Sequence, residues 1–367
     1  MKLARPHPRM VLVLAVLGLL TIVYGLASRP RPGAPPGPAF APAFTDVQLY
    51  RDQVALARSP ATWYARVTDE QRRMDYPLRP FVTVRPPALA FFLAWLPGGE
   101  MSARLLLGAL GAAVAGLWTV RLVGPLGVPG AAVTGLAMAS GVVAAFTPNG
   151  YLMHECWAGL LVALSLALYP VLPRERRSCH EVTEGAFRRK ALLAASLGAA
   201  LAAALVRELA LPFLGVMALM ALVDRRPREA LLWLGAIGLT LLALLAHAMA
   251  VLRHTLPSDP GMAWVRLGGW GFVLAADRWN AILAMAPWLP AVMLPPALLG
   301  ALAWGGPAGR RLWFTLLGYT AGFLVVGRPE NTYWGLMIAP LLPLGWVGAV
   351  AAGFGLAAGD RGRGAEA

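Results

Sequence analysis

The sequence predicts an all-α polytopic membrane protein with about ten transmembrane helices and a first outer loop that carries juxtamembrane helices. Three observations lead there. Hydrophobic residues make up 58% of the 367 positions and charged ones only 14%, a balance that leaves apolar runs facing lipid rather than a water-bounded core. The mean hydropathy is +0.62, and apolar runs of about spanning length recur through the chain. Only one long stretch, residues 44–96, has ordinary soluble composition, and apolar segments flank it on both sides. Glycine (40) and proline (31) are abundant without any periodic repeat, which spanning helices tolerate better than soluble ones. The net charge of +14 is spread over loops between apolar runs, with no basic helix or aromatic stacking module, so nucleic acid is excluded as a partner. Topology and anionic lipid account for the charge instead.

The first element, 10–27, is an uncharged run behind Lys2, Arg5 and Arg9. It is longer than the apolar region of a usual signal peptide and is read as an uncleaved anchor, with the N-terminus cytoplasmic. Residues 29–42 form a Pro/Gly/Ala linker with no core-forming pattern. The polar loop follows and closes with an apolar segment, 88–96, that is too short to cross about 30 Å of hydrocarbon. Prolines 86 and 87 suit a helix start, so this segment is expected to lie at the outer surface. Nine further spans are expected at 101–122, 128–146, 151–169, 191–206, 209–223, 230–252, 281–304, 312–326 and 334–354.

The distribution of basic residues orients these spans. With 88–96 not crossing, the inner loops hold Arg121, then Arg174 to Lys190, then Arg225, Arg226 and Arg228, then Arg310 and Arg311, then Arg361 and Arg363. Letting 88–96 cross would move the Arg174–Lys190 cluster outside. The chain therefore divides into a cytoplasmic tail and first helix (1–27), an outer loop (28–100), a helical membrane domain (101–354) and a cytoplasmic tail (355–367). On this topology Cys156 and Cys179 lie on opposite sides of the membrane and form no disulfide.

The same orientation leaves Asp46, Arg85, His154-Glu155, Arg207-Glu208 and Glu330-Asn331 on the outer side. Ionisable groups at membrane depth cost about 2.5–3.5 kcal/mol each on insertion scales, so they face a cavity or a partner. Arg207 and Glu208 are neighbours that on a helix point apart, so each is expected to need a partner elsewhere. They read either as an ion-pair network closing the outer helix ends, or as an anion site in which Arg207 binds and Glu208 orients. Glu155 suits the positive end of a helix, and His154 beside it reads as a hydrogen-bonded cap or as a ligand. One His-Glu pair is not a transition-metal site, and with five histidines and no HExxH or CxxC pattern neither zinc nor another cofactor is expected. Asp46 reads as the N-cap of an amphipathic helix, a role compatible with catalysis. No serine-nucleophile elbow, Walker A loop or Rossmann glycine pattern is present.

One outward carboxylate, several arginines and a membrane groove suit sugar transfer from a lipid-phosphate donor. The leaving group is already a phosphate, which arginine holds bidentately, and one carboxylate takes the acceptor proton. Asp46-x-x-x-Tyr50, Arg85-Pro86-Pro87-Ala-Leu, Ala103-Arg104-Leu105, Glu155 at a later helix start and Leu205-Val206-Arg207-Glu208 together resemble the GT-C superfamily of polyprenyl-phosphate-sugar-dependent glycosyltransferases. The resemblance implies Asp46 as general base and Glu155 as a second active-site carboxylate. It places Arg207 where such enzymes often have a lysine on the lipid phosphate. Arg85, Glu208, His154 and Tyr50 complete the expected lipid-phosphate and substrate set. The chain differs from many members in having Val47 after Asp46, and a glutamate at the second acidic position. The resemblance also implies a bacterial inner-membrane enzyme with its site facing outward, a polyprenyl-phosphate sugar donor and an acceptor of unknown kind. Two other classes stay open: a transporter or flippase of a lipid-linked or anionic solute, and an inactive envelope-assembly subunit.

Overall fold

The computed structural model describes residues 2–3, 8–27, 44–170, 179–263 and 265–358. The 29–42 linker, Arg174, Arg176, Arg177 and the tail from 359 lie outside the described residues.

Helix α1, Pro8–Ala27, is 20 residues and about 30 Å long, and it shows Leu17, Leu19, Leu20 and Val23 to the outside. Its inner face packs on a later helix through Gly18 and Gly25, which lie against Leu299 and Ala291.

The polar stretch folds as a unit rather than a strap. It contains α2 (Phe44–Leu56), α3 (Trp63–Arg73) and α4 (Ala88–Trp95). Ala57, Trp63, Val67, Leu78, Val84 and Ala90 form a small core of their own with Val251. At eight residues, about 12 Å, α4 is too short to cross a membrane, as expected from 88–96.

Helix α5, Gly99–Val142, is nominally 44 residues, but it breaks at Gly127, whose φ of 69° and ψ of 175° no helix contains. Beyond the break the chain doubles back. Gly135 lies against Thr119, Gly111 against Val142 and Ala145, and Gly108 against Phe146. Two antiparallel helices therefore occupy the two spans expected at 101–122 and 128–146. Next come α6 (His154–Leu168), buried almost throughout, and α7 (Cys179–Val206), which begins 12 residues before the expected 191. Ser165 and Ser196 each donate to the other's carbonyl at 2.8 Å and tie α6 to α7. Arg207 leaves helical geometry (φ −148°, ψ 117°), and the chain returns as α8 (Leu211–Val223) and α9 (Pro227–His254).

Helix α10 (Gly269–Asp277) lies where no element was expected. Two expected spans are broken. The 281–304 span resolves into α11 (Ala281–Ala284) and α12 (Leu289–Ala303), because Pro287 and Pro290 disfavour helix before them and remove N–H donors. Helix α13 (Gly306–Val325) follows. The 334–354 span becomes a 3₁₀ segment, Pro329–Met337, and α14 (Leu342–Ala358), bent by 61° where Pro340 intervenes.

Among the described residues three helical stretches are long and apolar enough to cross a membrane, Gly99–Phe146, Ala186–Val206 and Pro227–His254, and the bent pair makes a fourth. Five shorter apolar helices accompany them. Leucines 231, 232, 241, 242 and 245 on α9 are exposed, the surface of a protein solvated by lipid.

Charge gathers at the two ends of this bundle. At one end Arg311, fully buried, donates to Asp224 Oδ2 at 2.7 Å and Glu229 Oε1 at 3.2 Å. Its guanidinium lies 4.3 Å from the Tyr169 ring, whose hydroxyl donates to Glu229 at 2.7 Å. Arg121 donates to the Tyr169 carbonyl at 2.7 Å. Residues Lys2–Leu3 pair with Trp304–Gly305 at this end, beside the start of α13. About 42 Å away, the length of α9, the other end holds Asp46, Arg85, Glu155, Arg207 and Glu208. Free Cys156 sits at that second end, in the first turn of α6.

Helices α12 and α14 approach backbone to backbone. A Cβ on Gly345 would fall 2.0 Å from the Ala297 carbonyl oxygen, and one on Gly300 would fall 1.9 Å from the Gly345 oxygen. Small residues are required where helices touch backbone to backbone in a membrane. Gly345→Val is expected to wedge the pair apart at a cost of about 1–3 kcal/mol, seen as a lower unfolding midpoint in detergent; Gly353→Ala, in open space, leaves it unchanged.

Candidate active site

The site is built on the loop unit, and the loop unit is held by the α9–α10 connection. Arg72 of α3 makes a two-point contact with Asp259, Nε to Oδ1 at 2.6 Å and Nη2 to Oδ2 at 3.0 Å. The Leu78 amide donates to Pro260 at 3.1 Å, and the Met262 amide to Arg79 at 2.9 Å. Below them, His247 of α9 bridges Tyr64 and the Val84 carbonyl, each at 3.0 Å. A carbonyl only accepts, so Nε2 carries the proton and Nδ1 accepts from the tyrosine.

Asp46 is the third residue of α2, inside the first turn rather than at the expected cap position, where the helix dipole favours a carboxylate. Tyr50 follows four residues later and shares the face. Asp46 Oδ1 accepts a hydrogen bond from the Tyr76 hydroxyl. Tyr50 is buried, and its hydroxyl accepts from Arg85 Nη2 at 3.2 Å and Nε at 3.3 Å. Arg85 Nη2 also donates to the Tyr333 hydroxyl at 2.8 Å, which passes its own proton to Asn331 Oδ1 at 3.1 Å. His154 packs edge-on against Tyr50, ring centroids 5.4 Å apart.

Beside this group is a buried triad. Arg207 Nε donates to Glu155 Oε1 at 2.6 Å, and Nη1 donates to Glu208 Oε1. The expectation that Arg207 and Glu208 point apart is corrected here. It assumed a helix through both, whereas Arg207 is extended, and that lets neighbouring side chains meet.

The two arginines thus differ in kind. Arg207, fully buried, is neutralised by two carboxylates, while Arg85, 7% exposed, meets only phenolic hydroxyls, with no carboxylate at ion-pair distance among the described residues. An arginine at such a position keeps its charge. Asp46 senses its surroundings: burial pushes its pKa above the usual carboxylate range. The Tyr76 hydrogen bond and the Arg85 charge pull it back, and Glu155 pushes it up again. Tyr50 is likewise pushed up, chiefly by burial.

Of the residues singled out in the sequence, Asp46, Tyr50, Arg85 and His154 come together, and Glu155, Arg207 and Glu208 form the adjoining triad. Glu330 does not join them; it is exposed and bonds Arg328 at 2.6 Å. Tyr76 was missed; it reaches the site from the far end of α3. Tyr333 comes from the segment 331–335, which carries no assignable motif.

The arrangement is a helical membrane bundle in which the loop unit lays a carboxylate, Asp46, and an arginine, Arg85, over one end. The fold is similar to that of ArnT from Cupriavidus metallidurans in the apo state, at 16% identity and a TM-score of 0.51 over 93% of this chain and 59% of that one. A second structure, ArnT from Cupriavidus metallidurans bound to undecaprenyl phosphate, matches at 16% identity and a TM-score of 0.46 over 94% and 60%. The chain therefore spans about three fifths of the ArnT chains it matches. No protein-family model matches the chain. No curated protein sequence matches it.

The triad makes a direct prediction. Arg207→Ala leaves Glu155 and Glu208 buried without a counter-ion and is expected to cost about 3–5 kcal/mol, read as a large drop in thermal midpoint. Arg85→Ala strands no carboxylate and lowers the midpoint far less.

Proposed function

We propose that the chain transfers a sugar from a polyprenyl-phosphate donor to an acceptor at the outer face of a bacterial inner membrane, with Asp46 as general base. The observation that carries this is Arg85: a buried cation with no carboxylate partner, within electrostatic reach of a half-buried carboxylate whose Oδ2 is unbonded among the described residues. The fold shared with ArnT supports the same reading.

In this mechanism the donor phosphate sits on the Arg85 guanidinium, with the Tyr50 hydroxyl as a further donor. An acceptor hydroxyl donates to Asp46 Oδ2 and attacks the anomeric carbon from the face opposite the phosphate. The sugar–oxygen bond breaks, its electron pair leaves on the phosphate, and the acceptor proton passes to Asp46 and then to water. No general acid is required. We assign the phosphate to Arg85 rather than Arg207, whose charge Glu155 and Glu208 already engage. Glu155 acts on Asp46 through its field, and His154 orients Tyr50.

We also propose ten spans with both termini cytoplasmic, the outer loop at 28–100 and the membrane domain at 101–354. The hairpin at Gly127, and the gathering of Arg121, Arg226, Arg310 and Arg311 at the end opposite Asp46, support it.

Asp46→Asn in purified protein is expected to lower transfer of labelled sugar from a polyprenyl-phosphate donor by about 10²–10⁴-fold; undiminished transfer overturns the assignment. The base works ionised and its pKa is raised, so the rate falls with decreasing pH at values above the usual carboxylate range near 3.8. An acid limb at or below that range contradicts the assignment. For topology, Asp46→Cys is expected to react with an impermeant maleimide from outside and His180→Cys only from inside; labelling of both from one side overturns the ten-span arrangement.

A further inference from the structure

We propose that Tyr76 is a positioning residue for the general base, presented to the Asp46 carboxylate by the C-terminal cap of α3. This rests on the reading of Asp46 as base.

The cap is defined by its backbone. Helix α3 ends at Arg73; the Met74 amide donates to Glu70 at 3.1 Å, and the Tyr76 amide reaches back to Gln71 at 2.8 Å. Asp75 between them has φ +56°, the left-handed conformation that such a cap requires and that glycine adopts more readily. Gln71 then fixes the residue after the tyrosine, its Nε2 donating to the Pro77 carbonyl at 3.2 Å. An aspartate held in this conformation, with both flanks bonded, gives Tyr76 a determined direction. That direction delivers its hydroxyl to Asp46 Oδ1.

The helix beneath the cap is itself anchored. Arg72, the residue after Gln71, is the one clamped to Asp259 at 2.6 and 3.0 Å. The connection after α9 thereby sets α3, α3 sets Tyr76, and Tyr76 sets the plane of the carboxylate. With Oδ1 occupied, the acceptor hydroxyl meets Oδ2.

The charged and titratable groups facing Asp46 are Tyr76 from the α3 cap, Arg85 from the segment before α4, Glu155 from α6 and Tyr50 from its own helix. Arg85 and Glu155 act with opposite signs and only through space. Among the described residues Tyr76 alone bonds the carboxylate, and a hydroxyl donor favours its ionised form.

The test reads Asp46 without requiring turnover. The carboxyl stretch of ¹³C-aspartate-labelled full-length protein in nanodiscs is titrated by infrared spectroscopy, with the Asp46→Asn spectrum subtracted. In Tyr76→Phe the Asp46 band is expected to titrate roughly one pH unit higher than in wild type, because the donor to the ionised form is gone. Site-specific 3-fluorotyrosine at 76, a stronger donor that keeps the shape of the side chain, shifts the band the other way and serves if Tyr76→Phe does not fold. Asp75→Gly retains the cap and leaves the band in place. Equal titration in wild type, Tyr76→Phe and the fluorotyrosine protein overturns the positioning role. In a labelled-sugar assay, Tyr76→Phe is expected to lower kcat and move its acid limb upward with KM unchanged. Full transfer by Asp46→Asn alongside the infrared shift sinks the base assignment while leaving the Tyr76 contact intact.

Discussion

A charge buried in a low-dielectric bundle has to be matched, and the way this chain matches its arginines orders the structure. Among the described residues three are buried: Arg85, Arg207 and Arg311. Arg311 holds one end of the bundle through Asp224 and Glu229, joining α8, α9 and α13 with the Tyr169 ring beneath it. Arg207 holds the other through Glu155 and Glu208, joining the start of α6 to the α7–α8 break. Each pairing keeps two carboxylates and a guanidinium from standing alone where desolvation is costly. Among the described residues Arg85 has no such match, and its partners are the neutral hydroxyls of Tyr50 and Tyr333.

Keeping Arg85 buried without an internal anion requires a rigid enclosure. The loop unit supplies it in two layers. Its own core around Trp63 and Val67 makes α2, α3 and α4 one body. The Arg72–Asp259 clamp and the His247 bridge then fix that body to α9 and the connection beyond it. The phenols of Tyr50 and Tyr333 satisfy guanidinium N–H groups without cancelling charge, as neutral acceptors can. A carboxylate in either place would satisfy the same N–H groups and cancel the charge.

Sequence made the outer cluster legible through cost. An ionisable residue in an apolar chain is conspicuous, and the distribution of arginines placed Asp46, Arg85, Glu155 and Arg207 at the same end. It did not reveal how they pair, because that depended on one residue's backbone. Arg207 being extended turned two neighbours expected to diverge into partners. Tyr76 was not legible, since a tyrosine costs little in either environment and long-range contacts leave no local pattern. The broken spans at 285–288 and around Pro340 were masked for a related reason: hydropathy averages over a run and passes across the prolines that interrupt it. The glycine at 127 was easier, because a Pro-Leu-Gly-Val-Pro stretch already separated two apolar runs.

In the reaction we propose, the charge balance at the Asp46 end of the bundle bears on when Arg85 acts. Asp46, Glu155 and Glu208 face Arg85 and Arg207, one negative charge in excess when Asp46 is ionised. A phosphodiester donor brings one more negative charge. As the sugar–oxygen bond breaks, the phosphate gains further charge while Asp46 loses its own to the acceptor proton. On that proposal negative charge moves from the carboxylate to the group lying on Arg85, and the arginine would bind the leaving phosphate more strongly than the intact donor. Interactions of that kind lower the barrier rather than only tightening binding. A guanidinium already neutralised, as Arg207 is, would have little of this difference to offer.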